Sequence, residues 1–246
     1  MKVVAINGSP LMDKGNTALI LNPFLDGIRE AGGEVQLLYT KKLKINPCQG
    51  CLSCWLKTPG KCIQKDDMEI VLGSMRGMDV LILATPLYVD GMTGPLKNLL
   101  DRIVPTGQPF IELRDGHCRH PGRGKSARNL KMALVSNCGF WEIDNFDVLV
   151  AHVNAISRNM SAEFVGALIR PQGPVFKQML DMGMPVHDVL EAAKEAGRQL
   201  VQTGKIKEET LKNVSRELMP LEAYLDFSNK YFQQTLDALE KKKTAL

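Results

Sequence analysis

The chain has 246 residues, of which 44% are hydrophobic and 24% are charged, and its formal net charge at pH 7 is +4. This length and apolar content suffice for one domain with a large core, and the small positive excess favours anionic small molecules without indicating nucleic-acid binding. No apolar run reaches the roughly 18 residues of a membrane span and the amino terminus lacks the apolar core of a secretory signal, so we expect a cytoplasmic protein with no membrane partner.

Apolar segments that read as strands alternate with amphipathic segments that read as helices. The predicted strands are 2–6, 34–40, 79–86, 131–139 and 162–171, and the predicted helices between them are 17–33, 66–78 and 94–104. Pro23 lies inside the first helix, where it predicts a kink or a delayed start. Asp66 or Asp67 is expected to cap the second helix, and Pro95 suits the first turn of the third. Nearly continuous apolar strands alternating with helices predict an α/β fold with a parallel sheet covered on both faces.

Two segments extend this pattern. Residues 105–130 form a connection about twice the ordinary length, which predicts a lid or a binding loop, and its basic residues are Arg114, Arg119, Arg123, Lys125 and Arg128. From about residue 174 the chain is helical and is broken at Pro220. This tail predicts one more helix against the sheet and an oligomerisation arm.

Three loops should meet at the carboxyl ends of the strands, where a doubly wound sheet binds its ligand. The loop 7–17 offers glycines, small hydroxyls and a helix start, which suit a bound phosphate, although it has neither the G-x-G-x-x-G nor the G-K-[ST] pattern. The other two loops contain "TPLYVDGMTG" and "SNCGFW", whose small, aromatic and amide residues suit a flat ring. The alternatives are a polar turn with no ligand for the first loop, a core aromatic for Tyr88 in the second, and a plain turn for "SNCG" in the third.

Four of the six cysteines fall in the segment 48–62 with the spacing C-x2-C-x2-C-x7-C. In a reducing compartment such a dense group serves metal or redox chemistry more often than structural disulfides. The spacing favours an iron–sulfur cluster, because three thiolates at intervals of three residues can hold one corner while the fourth returns from a short loop. Zinc sites more often use two separated pairs. Zinc, and thiols that are empty or paired as disulfides, stay open as alternatives.

The ordered set "NGSP…GNT", the cysteine row followed by "DDM", "ATPLY" and "GPLKNLLDR" resembles the flavodoxin-like NADPH-dependent FMN reductases, and in particular their iron–sulfur flavoprotein branch. The resemblance covers about residues 1–171 and implies a five-stranded parallel sheet in the order 2-1-3-4-5. We therefore expect a flavodoxin-like FMN-binding domain over 1–204, including the cysteine loop 48–62 and the basic loop 105–130, and a C-terminal helical extension over 205–246.

The resemblance also implies the residues that hold FMN. The first loop would contribute Ser9, Pro10, Leu11, Gly15, Asn16 and Thr17. The loop after the third strand would contribute Pro86, Leu87, Tyr88, Val89, Gly91 and Met92, and the loop after the fourth would contribute Ser136, Asn137, Gly139 and Phe140. The predicted metal ligands are Cys48, Cys51, Cys54 and Cys62. No catalytic side chain is predicted, because a flavin supplies the difficult chemistry and the protein supplies binding and orientation.

These expectations describe an NAD(P)H-dependent FMN reductase-like oxidoreductase that moves electrons from NADPH, NADH or reduced ferredoxin to an acceptor through FMN and a [4Fe-4S] cluster. The basic loop would receive NADPH phosphates or an acidic ferredoxin, or would simply be solvated. The tail and the family suggest a homodimer or homotetramer. The alternatives are a non-enzymatic electron carrier, an NAD(P)H:FMN or quinone reductase with no cluster, and a metal-stapled binding module without flavin.

Overall fold

The computed structural model describes residues 1–123 and 129–244. The strands of this part of the chain are β1 (Lys2–Asn7), β2 (Glu34–Tyr39), β3 (Val80–Pro86), β4 (Glu112–Arg114), β5 (His117–Arg119), β6 (Lys131–Asn137) and β7 (Glu163–Arg170). The helices are α1 (Asn16–Glu30), α2 (Ser53–Leu56), α3 (Met68–Met75), α4 (Gly94–Asp101), α5 (Asp147–Asn159), α6 (Gly173–Asp181), α7 (His187–Thr203), α8 (Glu208–Ser215) and α9 (Leu221–Thr244).

The main sheet has five strands in the order β2-β1-β3-β6-β7, and every neighbouring pair in it is parallel. Counted along the chain without the β4–β5 pair, this is the order 2-1-3-4-5. The predicted flavodoxin-like architecture is therefore confirmed. Its switch point lies between β1 and β3, so the loops after these strands flank the crevice in which such sheets bind ligands.

The two helix layers use alternate residues of the same strands. Val3 and Ala5 of β1 belong to the core formed with α1, α6, α7 and α8, whereas Val4 and Ile6 belong to the core formed with α3, α4 and α5. Successive side chains of a strand point to opposite faces, so a strand in the middle of the sheet contributes to both cores and is apolar on both faces. The central strand β3 is accordingly buried at every position.

A close contact between α1 and α7 fixes the first core. A Cβ atom added at Gly27 would lie 1.8 Å from the carbonyl oxygen of Lys194, and one added at Gly197 would lie 2.1 Å from the carbonyl oxygen of Phe24. The two glycines thus let the helix backbones touch directly. This contact holds helix α7 against α1, the helix that follows β1.

Helix α1 begins at Asn16 and continues without interruption through Pro23 to Glu30. The predicted delayed start is therefore wrong. Proline in a helix interior costs about 3 kcal/mol, but the apolar face of α1, which includes Ile20, Phe24 and Ile28, is fully buried. Tertiary burial of an amphipathic face outweighs the local penalty.

The long connection 105–130 contains a short antiparallel hairpin, β4–β5, that the sequence pattern above does not predict. Its turn is Asp115-Gly116, with φ of 52° and 74°. Asp-Gly is the preferred pair for a tight turn that needs positive φ at both positions, so this dipeptide is the missed signal. Two residues of the predicted basic loop, Lys125 and Arg128, lie outside the described residues.

The tail consists of α8 and α9, separated around Pro220 as the sequence predicts. Tyr224 and Phe227 of α9 pack against the first core, while Leu225 and Phe232 on the same helix are exposed. None of the helices in residues 1–123 and 129–244 combines the length and apolar character needed to cross a membrane.

Candidate functional site

Hydrogen bonds between the strand ends draw the three predicted loops together. Thr93 after β3 donates its hydroxyl to the carbonyl oxygen of Gly8 after β1, at 2.9 Å. Ser136 at the end of β6 donates to the carbonyl oxygen of Thr85, at 2.8 Å, and the Thr85 hydroxyl accepts the backbone N–H of Thr93, at 3.1 Å. All of these hydroxyls are buried. The loops after β1, β3 and β6 therefore form one connected structure at the carboxyl edge.

A short buried hydrogen bond joins the start of α1 to the end of β6. Thr17 Oγ1 donates to Asn137 Oδ1 at 2.6 Å, across 120 residues of sequence, and both side chains are buried. The backbone carbonyl of Asn137 also accepts the N–H of Leu87, at 2.8 Å. Asn137 thus contacts the first loop through its side chain and the loop after β3 through its backbone.

The start of α1 is shaped to receive an anion. Gly15 is its N-cap residue and offers no side chain to the free N–H groups of the first turn, and no acidic residue occupies that turn. A Cβ atom at Gly15 would lie 2.6 Å from Ser9 Oγ and 3.2 Å from Leu11 Cβ. Free amide groups, a nearby hydroxyl and the positive end of the helix dipole together form the ordinary environment of a bound phosphate.

The exposed residues at the carboxyl edge, which form its rim, are apolar. The buried residues beneath them, which form its floor, are polar. Leu11, Tyr88, Val89 and Phe140, one or two from each predicted loop, are all exposed by more than half, and Val89 is 100% exposed. Val89 also has a positive φ of 47°, which costs free energy for a β-branched residue. Mutual hydrogen bonds between Tyr88 and Gly91 hold this strained turn.

The remaining predicted contacts occupy several positions in the same loops. Pro86 is the last residue of β3 and pairs in register with Asn137, and Met92 is buried under the turn. Pro10 is exposed, and Asn16 opens α1. Gly139 accepts a hydrogen bond from the hydroxyl of Tyr224 in α9. All the predicted residues thus lie in the three loops, and their contact with FMN stays a prediction.

Asn7 is a site residue that the sequence prediction missed. It ends β1, and its Oδ1 accepts the N–H of Ser9 at 2.8 Å. Its Nδ2 is buried and is the one buried side-chain nitrogen or oxygen of the described residues without a hydrogen-bond partner. Leaving such a donor unpaired costs about 1–3 kcal/mol. An acceptor group on a ligand at this strand end would remove that cost.

The floor of the edge is completed by residues after β7 and in the tail, which were also missed. Gln172 donates its backbone N–H to the carbonyl of Phe140, and Gly173 donates to that of Cys138, both at 2.8 Å. Trp141 Nε1 donates to the carbonyl of Met219, just before α9, at 2.9 Å. No local motif marks these positions, because each acts through a partner distant in sequence.

Arg170 is the charged residue of this floor. It is fully buried at the end of β7 and donates to the carbonyl oxygens of Val214, Ser215 and Arg216, which terminate α8. Burial, and then the nearby charge of Arg216, lower its pKa to about 10. Carbonyl oxygens at a helix end carry partial negative charge, which compensates a cation that has no carboxylate partner among its hydrogen bonds.

The cysteine loop follows the carboxyl end of β2, the outer strand of the sheet that pairs with β1. The thiols of Cys48, Cys51, Cys54 and Cys62 are all free, with the first two exposed and the last two half-buried. Burial raises the pKa of Cys54, and so does the charge of each of the other three thiols. These effects favour the neutral thiol of Cys54.

Cys51 has a distinct environment within this loop. Hydrogen bonds from the side chain and the backbone of Ser53, at the start of α2, lower the pKa of its thiol. A thiolate is the form that binds metal, so this interaction favours the ligand state of Cys51. Within residues 1–123 and 129–244, however, no three Cys, His, Asp or Glu side chains are placed to hold one metal ion as they stand. The cysteine ligands stay a prediction.

The base of the cysteine loop is clamped onto the core. Asp67 Oδ2 accepts the N–H of Lys44 at 2.7 Å, which ties the end of the loop to its beginning. Asp66 forms a buried ion pair with Arg102, just after α4. It also accepts the N–H of Met68, so Asp66 rather than Asp67 contributes the predicted side-chain cap of α3.

Only part of the predicted basic loop is open to a ligand. Arg114 pairs with Glu112 and donates to the carbonyls of Arg158 and Asn159 at the end of α5. Arg123 lies against Gly60 of the cysteine loop. The hairpin therefore supports neighbouring segments, and its role towards NADPH or ferredoxin stays a prediction.

The model of one protein family, the NADPH-dependent FMN reductases, matches residues 1–153, which include the first loop, the cysteine loop and the loops after β3 and β6. The chain belongs to this family. An iron–sulfur flavoprotein of Methanosarcina thermophila is 32% identical over 138 residues, covering 53% of this chain and 71% of that protein. Another, from Archaeoglobus fulgidus, is 41% identical over 102 residues, covering 42% of this chain and 48% of that protein. The predicted resemblance is confirmed.

The chain spans about half the length of most of the curated relatives it matches. Solved structures with this fold include an NAD(P)H:quinone oxidoreductase from Methanothermobacter marburgensis, with a TM-score of 0.59 at 16% identity over 81% of this chain and 96% of that one. An FMN-dependent NADH-azoreductase from Bacillus anthracis in complex with FMN has a TM-score of 0.59 at 16% identity, covering 82% of this chain and 99% of that one. At such identities these similarities support the FMN reductase fold alone.

Proposed function

We propose that the protein is an FMN-dependent oxidoreductase that takes electrons from a nicotinamide or from reduced ferredoxin and passes them on through FMN and a [4Fe-4S] cluster. The observation that carries the flavin assignment is the buried hydrogen bond from Thr17 to Asn137. It joins an anion-binding helix start to the loop after β6, so that one molecule with a phosphate at one end and a flat ring at the other can span both.

The residues present fit FMN. The hydroxyl of Ser9 and the N–H groups at the start of α1, including that of Thr17, would hold the phosphate, because the hydroxyl proton of Thr17 is donated to Asn137. The exposed faces of Tyr88 and Phe140 would flank the ring. When bound, FMN accepts two electrons from a nicotinamide and releases them one at a time. This chain's own contribution is to bind and orient the flavin, and its apolar rim would keep water from the ring.

The donor set of the cysteine loop also fits an iron–sulfur cluster. Four free thiols fall within one short loop, and the segment that holds them is anchored at both ends. Thiolate sulfur is the ligand that these clusters use. The names of the relatives support the same assignment. Cys48, Cys51, Cys54 and Cys62 would be the ligands.

A second candidate is a flavin reductase with no cluster. It is favoured by the lack, within the described ranges, of three metal-ligating side chains already arranged around one point. It predicts a protein whose absorption spectrum is that of flavin alone.

Spectra of protein prepared without oxygen, with flavin, iron and sulfide analysis, separate these functions. The proposed function predicts bound FMN, about four irons and four sulfides for each chain, and bleaching on addition of NADPH, NADH or reduced ferredoxin. Flavin without iron supports the second candidate, and bleaching by reduced ferredoxin but by neither nicotinamide identifies ferredoxin as the donor. Colourless protein that contains zinc would contradict the flavin assignment itself.

We expect Thr17→Val to weaken FMN binding about tenfold, because the isosteric side chain cannot donate a hydrogen bond to Asn137, and losing this link between the helix start and the loop after β6 costs about 1.5 kcal/mol. Fluorescence titration of flavin-free protein with FMN measures the change. Thr235→Val is the matched control, since Thr235 lies on α9 and donates only to Tyr231. Equal FMN affinity in wild type and Thr17→Val would mean that the link between Thr17 and Asn137 does not shape the FMN site.

A further inference from the structure

A buried arginine lies directly behind one of the predicted cluster ligands. Arg102 follows α4 and is 2% exposed. Its Nη2 lies 3.4 Å from the Sγ of Cys62, which is within hydrogen-bond distance for sulfur. No other hydrogen bond from an arginine or lysine to a cysteine sulfur is found in residues 1–123 and 129–244. The contact joins the segment "GPLKNLLDR" to the end of the cysteine loop.

The guanidinium has no freedom to leave this position. Nη1 donates to Asp66 Oδ2 at 2.7 Å and to the carbonyl of Asn46 at 2.5 Å, and Nη2 donates to Asp66 Oδ1 at 3.0 Å. A two-pronged arginine–carboxylate pair fixes the plane of the group as well as its position. Asp66 and Asn46 thus hold both N–H groups of Nη1 and one of Nη2, and the second N–H of Nη2 is the one aimed at Cys62.

This arrangement connects two of the sequence motifs, the "DDM" that follows the cysteine row and the "GPLKNLLDR" that contains Arg102. Asp66 lies four residues after Cys62 and pairs with a helix end 36 residues further along the chain. Asn98, one turn earlier on α4, donates to the carbonyl of Ile45 at 2.8 Å and holds the other end of the loop. Helix α4 is thus a rigid support for both ends.

We propose that Arg102 is a positioning residue for the cluster: it holds Cys62 as the fourth ligand and raises the reduction potential of the cluster by donating a charge-assisted hydrogen bond to that sulfur. The proposal rests on the cluster assignment of the proposed function. Reduction adds one electron to the cluster, which makes its sulfur ligands more negative, and Arg102 keeps all its protons. A donor and a nearby positive charge stabilise the reduced form more than the oxidised form.

The test is Arg102→Lys, which keeps the positive charge beside Asp66 but cannot hold the carboxylate and the sulfur with one planar group. We expect the equilibrium constant for reduction of the cluster to fall about tenfold, a decrease of about 59 mV for one electron. A potential titration followed by electron paramagnetic resonance measures it, with the FMN potential as an internal reference. Lys97→Gln is the control, since it removes an exposed cation from the same helix.

The measurements on Arg102→Lys can overturn or support the proposal. A cluster potential and iron content in Arg102→Lys equal to those of wild type would overturn it. A lowered potential, or loss of iron in a variant that keeps its FMN and its circular dichroism, would support it, because a merely structural role would disturb flavin and cluster alike.

Wild-type protein gives a second test that does not depend on the folding of a variant. With isotopically labelled arginine nitrogen, the reduced cluster should show a magnetic coupling to an arginine nucleus by electron–nuclear double resonance, and its absence would contradict the contact. If the wild-type protein assembles no cluster at all, the proposed function fails in its iron–sulfur part. If the cluster forms, but Arg102→Lys leaves its potential and iron content unchanged and the wild-type protein shows no coupling to arginine, only the role of Arg102 fails.

Discussion

Replacing Gly197 with alanine is expected to lower the free energy of unfolding by at least about 3 kcal/mol, the upper end of the cost of overpacking a core. The new Cβ atom would meet the backbone of α1 at 2.1 Å from the carbonyl oxygen of Phe24 and 2.7 Å from the N–H of Ile28. Backbone atoms on both sides cannot rotate away, so α7 must move off α1. Thermal unfolding should show the midpoint lowered by about 6–12 °C for a chain of this size.

Gly73→Ala is the matched control for this substitution. Gly73 lies in α3, and a Cβ atom there would have nothing within 4 Å. Alanine should raise stability by about 0.5–1 kcal/mol, because it restricts the unfolded chain and favours the helix. A midpoint for Gly197→Ala that equals or exceeds that of wild type would mean that α1 and α7 are not in backbone contact.

Asp66→Asn is expected to lower the free energy of unfolding by about 3–5 kcal/mol, the cost of leaving a buried charge without its partner. The side chains of Arg102 and Asp66 are only 1% and 3% exposed. The asparagine amide would turn an N–H group towards a guanidinium that is itself all donors. Urea unfolding of the metal-free protein measures the loss, and Asp101→Asn, which breaks an exposed pair with Lys97, should cost no more than about 0.5 kcal/mol.

The effect of Asp66→Asn should depend on pH in a defined direction. Burial opposes ionisation of Asp66, but hydrogen bonds from Arg102 and from the N–H groups of Asn46 and Met68 outweigh it and hold the pKa of the carboxyl below its ordinary value. A lowered folded-state pKa stabilises the protein fully above the unfolded value of about 4 and loses that effect as the pH falls through the folded value. The difference between wild type and Asp66→Asn should therefore shrink below about pH 4. A constant difference would show that the carboxylate charge does not stabilise the fold.

The parallel sheet and the position of the three loops could be predicted because they follow from local patterns and from a rule of topology, whereas the strand order 2-1-3-4-5 was implied by the resemblance to the FMN reductases. Each apolar strand is recognisable on its own, and parallel strands must bring their carboxyl ends to one edge. Ser9 and Tyr88 could thus be assigned to one site although they are distant in sequence. The same reasoning misses partners such as Asn7, whose importance lies in an unpaired buried amide that only coordinates reveal.

Other features could not be predicted from the sequence because tertiary packing outweighs the local signal or creates the contact. Pro23 is a strong local signal against a helix, but burial of the helix face overrides it. The contact of Gly27 with α7, and the pairing of Asp66 with Arg102, each depend on how two helices lie against the rest of the fold. The hairpin turn Asp115-Gly116 is different, since its dipeptide is a local signal that was present and overlooked.

The buried guanidinium of Arg170 bears on how this protein should be produced. Its acceptors are the last carbonyls of α8, and Trp141 likewise depends on the carbonyl of Met219. A shortened expression product that stops near residue 204 would strip Trp141 and both Nη groups of Arg170 of these acceptors and expose the residues beneath the loop after β6. Flavin lost from such a fragment would reflect the trimming, so cofactor content is meaningful only when the chain is purified with its tail intact.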